Sequence, residues 1–376
     1  MIEPGDFGPF DGRTWLNCAH QGPLPRVAVE AAERAVALKV APSRLSEEEF
    51  ARVPRDLRGA LGRLLGVPAH EVVLGNSTTH GLHLLARGLP LRAGDEVLLE
   101  DGDFPATVVP WLPLRDRGVR VRLLRPGARP LSAHELAAAL TPATRVFCTS
   151  SVFSFFGDAI DVDALGAICR ERGVLFVLNG AQAVGVRPLD VSAAPIDAVV
   201  GCGFKWLCGP YGTGFAWVRP DVLETLEYEQ AYWLAQLPDD DLSRRLDYSL
   251  RDDLGAAAYD VFGTANFNNF LPWTASVEYL LGHGIEVIAK YVDALVERLL
   301  AGLDGSDVEV LSPREGSARS SLVVLSHRDG SRNADLHERL ATEGIDVALR
   351  EGNLRLSPHL YNGEDDIDAA LAVLAA

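Results

Sequence analysis

Short, nearly continuous apolar runs alternate along this chain with longer stretches in which apolar positions recur every three or four residues. The runs at 72–74, 96–100, 119–124, 145–149, 174–178 and 198–200 have the length and branched-residue content of strands buried on both faces. Between them the helical spacing of Val27, Ala31, Ala35 and Leu38 predicts one helix. A second runs from Ser46, an N-cap with Glu49 three residues on, to Leu65. Further helices are predicted after Thr79 (Leu82, Leu85, Ala86), over 133–140 and over 162–172. Strand–helix repetition predicts an α/β class chain with a mostly parallel, helix-covered sheet, whose ligands gather beyond the carboxyl ends of the strands.

The order changes beyond about Asn268. A long helix over 272–300, broken near Gly282 to Gly284, precedes strands at 308–311 and 321–326, a helix at 334–343, a strand at 347–349 and an acidic final helix, which together predict a small α+β unit. The expected division is an amino-terminal arm over 1–15, a large domain over 16–267 and a small carboxy-terminal domain over 268–376. The acidic, irregular stretch 224–260, with Tyr228, Tyr232, Trp233 and Tyr248, reads as a substrate-facing or interfacial excursion.

Composition narrows the function classes. The formal net charge of −17 argues against nucleic acid and anionic membrane surfaces as partners. No run approaches the roughly 18 apolar residues of a membrane span, and the first residues lack the basic and apolar regions of a signal peptide, so a cytoplasmic location is expected. Five cysteines without CxxC spacing read as buried thiols rather than a disulfide framework. Nine scattered histidines give no paired-ligand pattern, and no metal is expected.

Candidate chemistry centres on one lysine. The chain has three lysines against 32 arginines. Lys39 and Lys290 lie on amphipathic helices, whereas Lys205 follows an apolar strand inside a glycine-rich turn, DAVVGCGFKWLCGPYGTGFAWVR. A desolvated ammonium loses pKa and becomes a nucleophile. Upstream, EVVLGNSTTHGLHLLARGL places a strand, a small polar loop and a helix start in succession, so that unpaired N–H groups and the hydroxyls of Ser77, Thr78 and Thr79 converge as an anion cradle.

Four segments in order, the cradle, NGAQ at 179–182, KWLCGPYGTGF at 205–215 and RLSPHLYN at 355–362, resemble the class V aminotransferases, the pyridoxal-phosphate (PLP) family that includes cysteine desulfurases and isopenicillin N epimerase-like enzymes. The resemblance covers nearly the whole chain from Leu16. It implies a fold type I PLP-dependent transferase, working as a homodimer on an amino-acid substrate. Lys205 would be the catalytic residue and hold PLP as an internal aldimine. Ser77, Thr78 and Thr79 would take its phosphate, with Cys202 standing where the family has a serine donor and Thr264 of VFGTANFNN reaching the phosphate in the neighbouring subunit.

In the same comparison Phe104 takes the ring-stacking position that desulfurases give to a histidine, which removes a proton carrier but keeps the stacking surface. Gln182 would reach the phenolic oxygen. Asn179 replaces the aspartate of the usual DGAQ and can hydrogen-bond the pyridine nitrogen without favouring its protonated form. Altered reaction specificity, slow ordinary chemistry and an introduced substitution each account for it. Arg355 would bind the substrate carboxylate, with Arg350 as its substitute, and Asn17 and His20 of LNCAHQGPLP would enter the pocket. Residues 312–360 hold no cysteine, which argues against persulfide-forming desulfuration. Amino-group transfer is the expected reaction; elimination, epimerisation or decarboxylation linked to Asn179 is the alternative, and a non-catalytic PLP-binding regulator is the alternative of another class.

Overall fold

The computed structural model describes residues 5–126, 129–227, 249, 251, 253–262 and 266–375. Thr264 and the aromatics Tyr228, Tyr232, Trp233 and Tyr248 lie outside them. In chain order the strands are β1 (Thr14–Trp15), β2 (Val72–Gly75), β3 (Glu96–Glu100), β4 (Arg120–Leu124), β5 (Thr144–Ser150), β6 (Leu175–Asn179), β7 (Ala198–Cys202), β8 (Gly214–Val218), β9 (Val308–Val310), β10 (Val323–His327), β11 (Ile345–Asp346), β12 (Ala348–Arg350) and β13 (Asn353–Leu356). The helices are α1 (Arg26–Val40), α2 (Glu47–Leu65), α3 (Thr78–Gly88), α4 (Pro105–Val108), α5 (Ala133–Ala139), α6 (Val162–Glu171), α7 (Pro220–Leu223), α8 (Phe267–His283), α9 (Ile285–Gly302), α10 (Asn333–Thr342) and α11 (Glu364–Leu374).

A seven-stranded sheet in the order β2-β8-β7-β6-β5-β3-β4 forms the centre. Strands β4, β3, β5, β6 and β7 pair in parallel, and β8 runs antiparallel to both β7 and β2. Both faces are covered along the inner strands, which is why these read as apolar runs rather than alternations, while the edge strand β4 exposes Arg120 and Leu123. Phe147, Phe176, Leu178 and Val199 enter the core on one face, while Cys148, Val177, Ala198 and Val200 enter the core on the other. The period-2 geometry of a strand separates the two sets.

Beyond the sheet, α1 and α2 pack on α8. The expected break in the long helix falls at Gly284, whose φ of 85° ends α8 and starts α9. Ser46 does precede α2, yet its side chain makes no capping hydrogen bond; three glutamates in the first turn supply the favourable charge there instead. An antiparallel sheet, β12-β13-β10-β9, forms in the carboxy-terminal part. The leading segment belongs to this part as much as to the large sheet, because β1 pairs in parallel with β11 and Asn17 bridges to Ser357. Among the described residues no helix is long and apolar enough to cross a membrane.

Candidate active site

Three chain segments meet at the carboxyl ends of the parallel strands. The first is the turn that follows β7. Gly203 is needed there because a Cβ would run into Thr213 and the Trp273 ring, and Gly22 of the leading segment lies so near that a Cβ would strike the Lys205 carbonyl oxygen. Lys205 is thus held between the sheet and the leading segment. It is half-buried, its Nζ lies 5.4 Å from the Phe104 ring centroid and 6.0 Å from that of Phe204, and among the described residues it pairs with no carboxylate. Burial pushes its pKa down, the thiols of Cys202 and Cys18 oppose this, and the charges of Arg355 and Arg350 reinforce it.

The second segment is the β2–α3 turn. Ser77, with extended backbone, caps α3 by accepting from the His80 N–H at 3.1 Å and donates its own hydroxyl to Asn76 Oδ1 at 2.9 Å. Thr78 Oγ1 is buried and has no partner, Thr79 is half-buried in the first turn, and that turn carries no acidic residue. Cys202 is buried at the end of β7; burial raises its thiol's pKa against the charge of Lys205. Gly214 presses directly on the Ser77 backbone, where any Cβ would clash. An orphaned hydroxyl, a helix amino terminus and the absence of carboxylate fit a phosphate. Ser77 adds a hydroxyl already in contact with neighbours, and Cys202 adds a thiol.

The third group surrounds Asn179 at the end of β6. Its Oδ1 accepts from the Ala181 N–H at 3.0 Å and its Nδ2 donates to Thr107 Oγ1 at 2.9 Å. Since Ala181 offers only a proton there, the amide orientation is fixed, and a second Nδ2 hydrogen remains for the cleft. Behind it Thr107 and Ser150 hydroxyls lie 3.2 Å apart, and Ser150 donates to Asp103 at 2.6 Å. Burial raises Asp103 to about 6 against these donors. Thr107, Ser150 and Asp103 were not singled out from the sequence. Asp103 and Thr107 do flank Phe104 in GDFPAT, but only the fold brings β5 and β6 beside them.

Gln182 is fully engaged by the protein. Its Nε2 donates to the Ala19 carbonyl at 3.1 Å and to Ser154 Oγ at 3.0 Å, and its Oε1 accepts from the Trp206 indole at 2.8 Å. It clamps the lysine turn to the leading segment, and contact with a phenolic oxygen would require one of these bonds to exchange. Phe104 is 38% exposed and stacks at 6.0 Å on Phe155, so one face of the cleft is aromatic. Asn17 is buried with an unpartnered Oδ1, and His20 is exposed; partial burial and then the charges of Arg350, Arg355 and Lys205 depress its pKa.

Arg355 is buried on β13, donating Nη1 to the Ser154 carbonyl at 2.9 Å while its Nε finds no partner. Arg350 is half-buried on β12 and donates to the Leu349 carbonyl at 3.1 Å. All five cysteines are buried free thiols. Cys18, Cys208 and His359 come within 4.8 Å of one another. Both ring nitrogens of His359 are already engaged, with the Leu360 N–H and the Trp206 carbonyl.

Comparison with known proteins places the chain in a family. Residues 40–369 match the family described as aminotransferase class-V. Isopenicillin N epimerase of Streptomyces clavuligerus is 30% identical over 378 residues, covering 96% of this chain and 94% of that protein. A probable cysteine desulfurase of Methanothermobacter thermautotrophicus is 26% identical over 353 residues, covering 84% and 82%. Two solved structures share the fold: a C-DES mutant with glycine covalently linked to its PLP cofactor (TM-score 0.89, 21% identity, 100% and 99% covered) and the cystine C–S lyase C-DES with cysteine persulfide (TM-score 0.87, 22% identity, 98% and 99% covered). The chain belongs to the class V aminotransferase family of PLP-dependent enzymes.

Proposed function

We propose that this class V enzyme acts at the α-carbon of an amino acid, with Lys205 carrying the cofactor and moving the α-proton, and that amino-group transfer is its reaction. The observation that carries this reading is the state of Lys205, an amine whose pKa is lowered by burial, without a carboxylate partner among the described residues, close to the Phe104 ring. When bound, PLP supplies the electron sink that makes bonds at the α-carbon breakable. Ser77, Thr78, Thr79 and the first-turn N–H groups of α3 would hold its phosphate, with Cys202 alongside and Thr264 reaching across a homodimer. Phe104 would cover one ring face and keep water from it.

Arg355 would then fix the substrate carboxylate in a paired, planar contact, so that the bond to be cleaved stands across the ring face. Lys205 in its neutral form takes the α-proton and returns it. One arrangement favours a second reading. Asn179 has one Nδ2 hydrogen left to present to a ring nitrogen, while its Oδ1 already accepts from Ala181. A donor there suits an unprotonated nitrogen, which withdraws electrons less strongly. That condition favours reactions in which a proton leaves and returns at the α-carbon alone, as in epimerisation, over transfer, which must carry the proton onward. Persulfide-forming desulfuration is outside both readings, since 312–360 lacks a cysteine.

Incubation of the PLP-loaded enzyme with amino acids in deuterated water, followed by proton NMR, separates these outcomes. Loss of the α-proton signal together with a 2-oxo acid product supports transfer. Exchange with inversion and no oxo acid supports epimerisation. Firm PLP binding without exchange in any amino acid would overturn both and leave a regulatory role.

A further inference from the structure

The hairpin that carries Arg355 carries a second unneutralised cation. In the β12–β13 pair Ala348 faces Arg355 and Arg350 faces Asn353. Directly opposed residues share a face, and so do residues two apart on one strand. Arg350 and Arg355 therefore lie diagonally on one face, about 7–8 Å apart. The two-residue loop between the strands, Glu351 (φ 49°) and Gly352 (φ 78°), is of the tight type whose twist matches the hairpin and fixes its register.

Among the described residues neither arginine pairs with a carboxylate. Arg355 uses Nη1 on a carbonyl and leaves Nε orphaned in a buried site, and Arg350 uses Nη1 on its neighbour's carbonyl. The charges of both act on Lys205 and on His20. The contrast with other arginines is plain: Arg187 meets Asp293 through both terminal nitrogens, and Arg122 holds Glu96 in the same paired way. A guanidinium cannot shed its proton to relieve such crowding. One substrate carboxylate neutralises only one of the two.

We infer that Arg350 binds a second acidic group on the substrate, so that the site takes amino acids whose side chain ends in a carboxylate. The inference rests on the proposed α-carbon chemistry and adds to it the substrate class. Arg355 takes the α-carboxylate, Arg350 takes the distal one, and the rigid hairpin sets the span between them.

The test uses matched ligands. Apparent affinities of the PLP-loaded enzyme for glutamate and for glutamine, which differ in charge and little in shape, are read from the visible absorption change. Glutamate should bind about 10- to 100-fold tighter. Arg350→Gln should remove that preference while leaving glutamine within about twofold, and Arg350→Lys should restore part of it. Arg355→Gln should weaken both ligands. Equal affinity for the two, or equal weakening of both by Arg350→Gln, overturns the inference. Calorimetric titration with glutarate against butyrate needs no cofactor chemistry and keeps the two claims apart. Tighter glutarate binding that is lost in Arg350→Gln supports the subsite even where no cofactor adduct forms, and glutarate binding no tighter than butyrate overturns it. Circular dichroism confirms that each variant is folded.

Discussion

Two clusters of unbalanced charge lie within one molecule, and they resolve their imbalance in opposite ways. At the carboxyl end of β3, Glu100, Asp103 and Asp158 are buried near one arginine, Arg129, which pairs with Glu100 at 2.8 Å and lies over the Phe153 and Phe156 rings. Burial raises Glu100 to about 8 despite Arg129, and the neighbouring Asp103 and Asp158 charges add to the rise. Burial likewise raises Asp158, whose two oxygens have no partner. In the cleft, Lys205, Arg350 and Arg355 stand together with no carboxylate among the described residues. Carboxylates can accept protons and fall silent, whereas guanidinium groups stay charged at any ordinary pH. The acidic cluster can therefore shed its charge by taking up protons. The guanidinium groups of the cleft cannot shed theirs.

The largest expected break of this contrast is Lys205→Ala. It removes the amine proposed to carry the cofactor and move the proton, and turnover should fall by about 10³-fold or more in a steady-state assay. Arg355→Gln comes next. Loss of the proposed paired contact should raise KM about 10- to 100-fold for every amino acid while kcat changes less.

The acidic cluster sharpens the comparison through pH. Glu100 and Asp103 hold their protons more tightly folded than unfolded, so the stability they contribute is full below about pH 4 and is lost as pH rises through about 6 for Asp103 and about 8 for Glu100. The melting temperature should fall between pH 5 and 9, and Glu100→Gln should flatten the upper part of that fall. A wild-type melting temperature that rises over this range would contradict the assignment. Smallest is Asn179→Asp. A carboxylate accepts from Ala181 and from Thr107 alike, and it favours a protonated ring nitrogen, so α-hydrogen exchange should rise about 10-fold with little change in melting temperature.

Much of this arrangement was legible in the sequence where local chemistry decides it. Continuous apolar runs gave the sheet, since strands covered on both faces need no alternation, and the strand–loop–helix at Ser77 gave the start of α3. Gly284 marked the helix break because its positive φ suits glycine. What distant segments decide was not legible. Asp103, Ser150, Thr107 and Asn179 form their chain only because β5 and β6 pair and α4 sits at their ends. The engagement of Gln182 depends on Ala19, Ser154 and Trp206, three residues with no sequence relation to it. Arg350 looked like a substitute for Arg355, and the β12–β13 register puts them on one face together.

The central claim, that Lys205 carries PLP, is tested most directly by borohydride reduction of the purified protein after addition of PLP, followed by peptide mapping. The account predicts a visible absorption band that borohydride abolishes and a single reduced adduct on Lys205, absent from Lys205→Ala. An adduct on Lys39 or Lys290 alone, or no band and no adduct at saturating PLP, would contradict it.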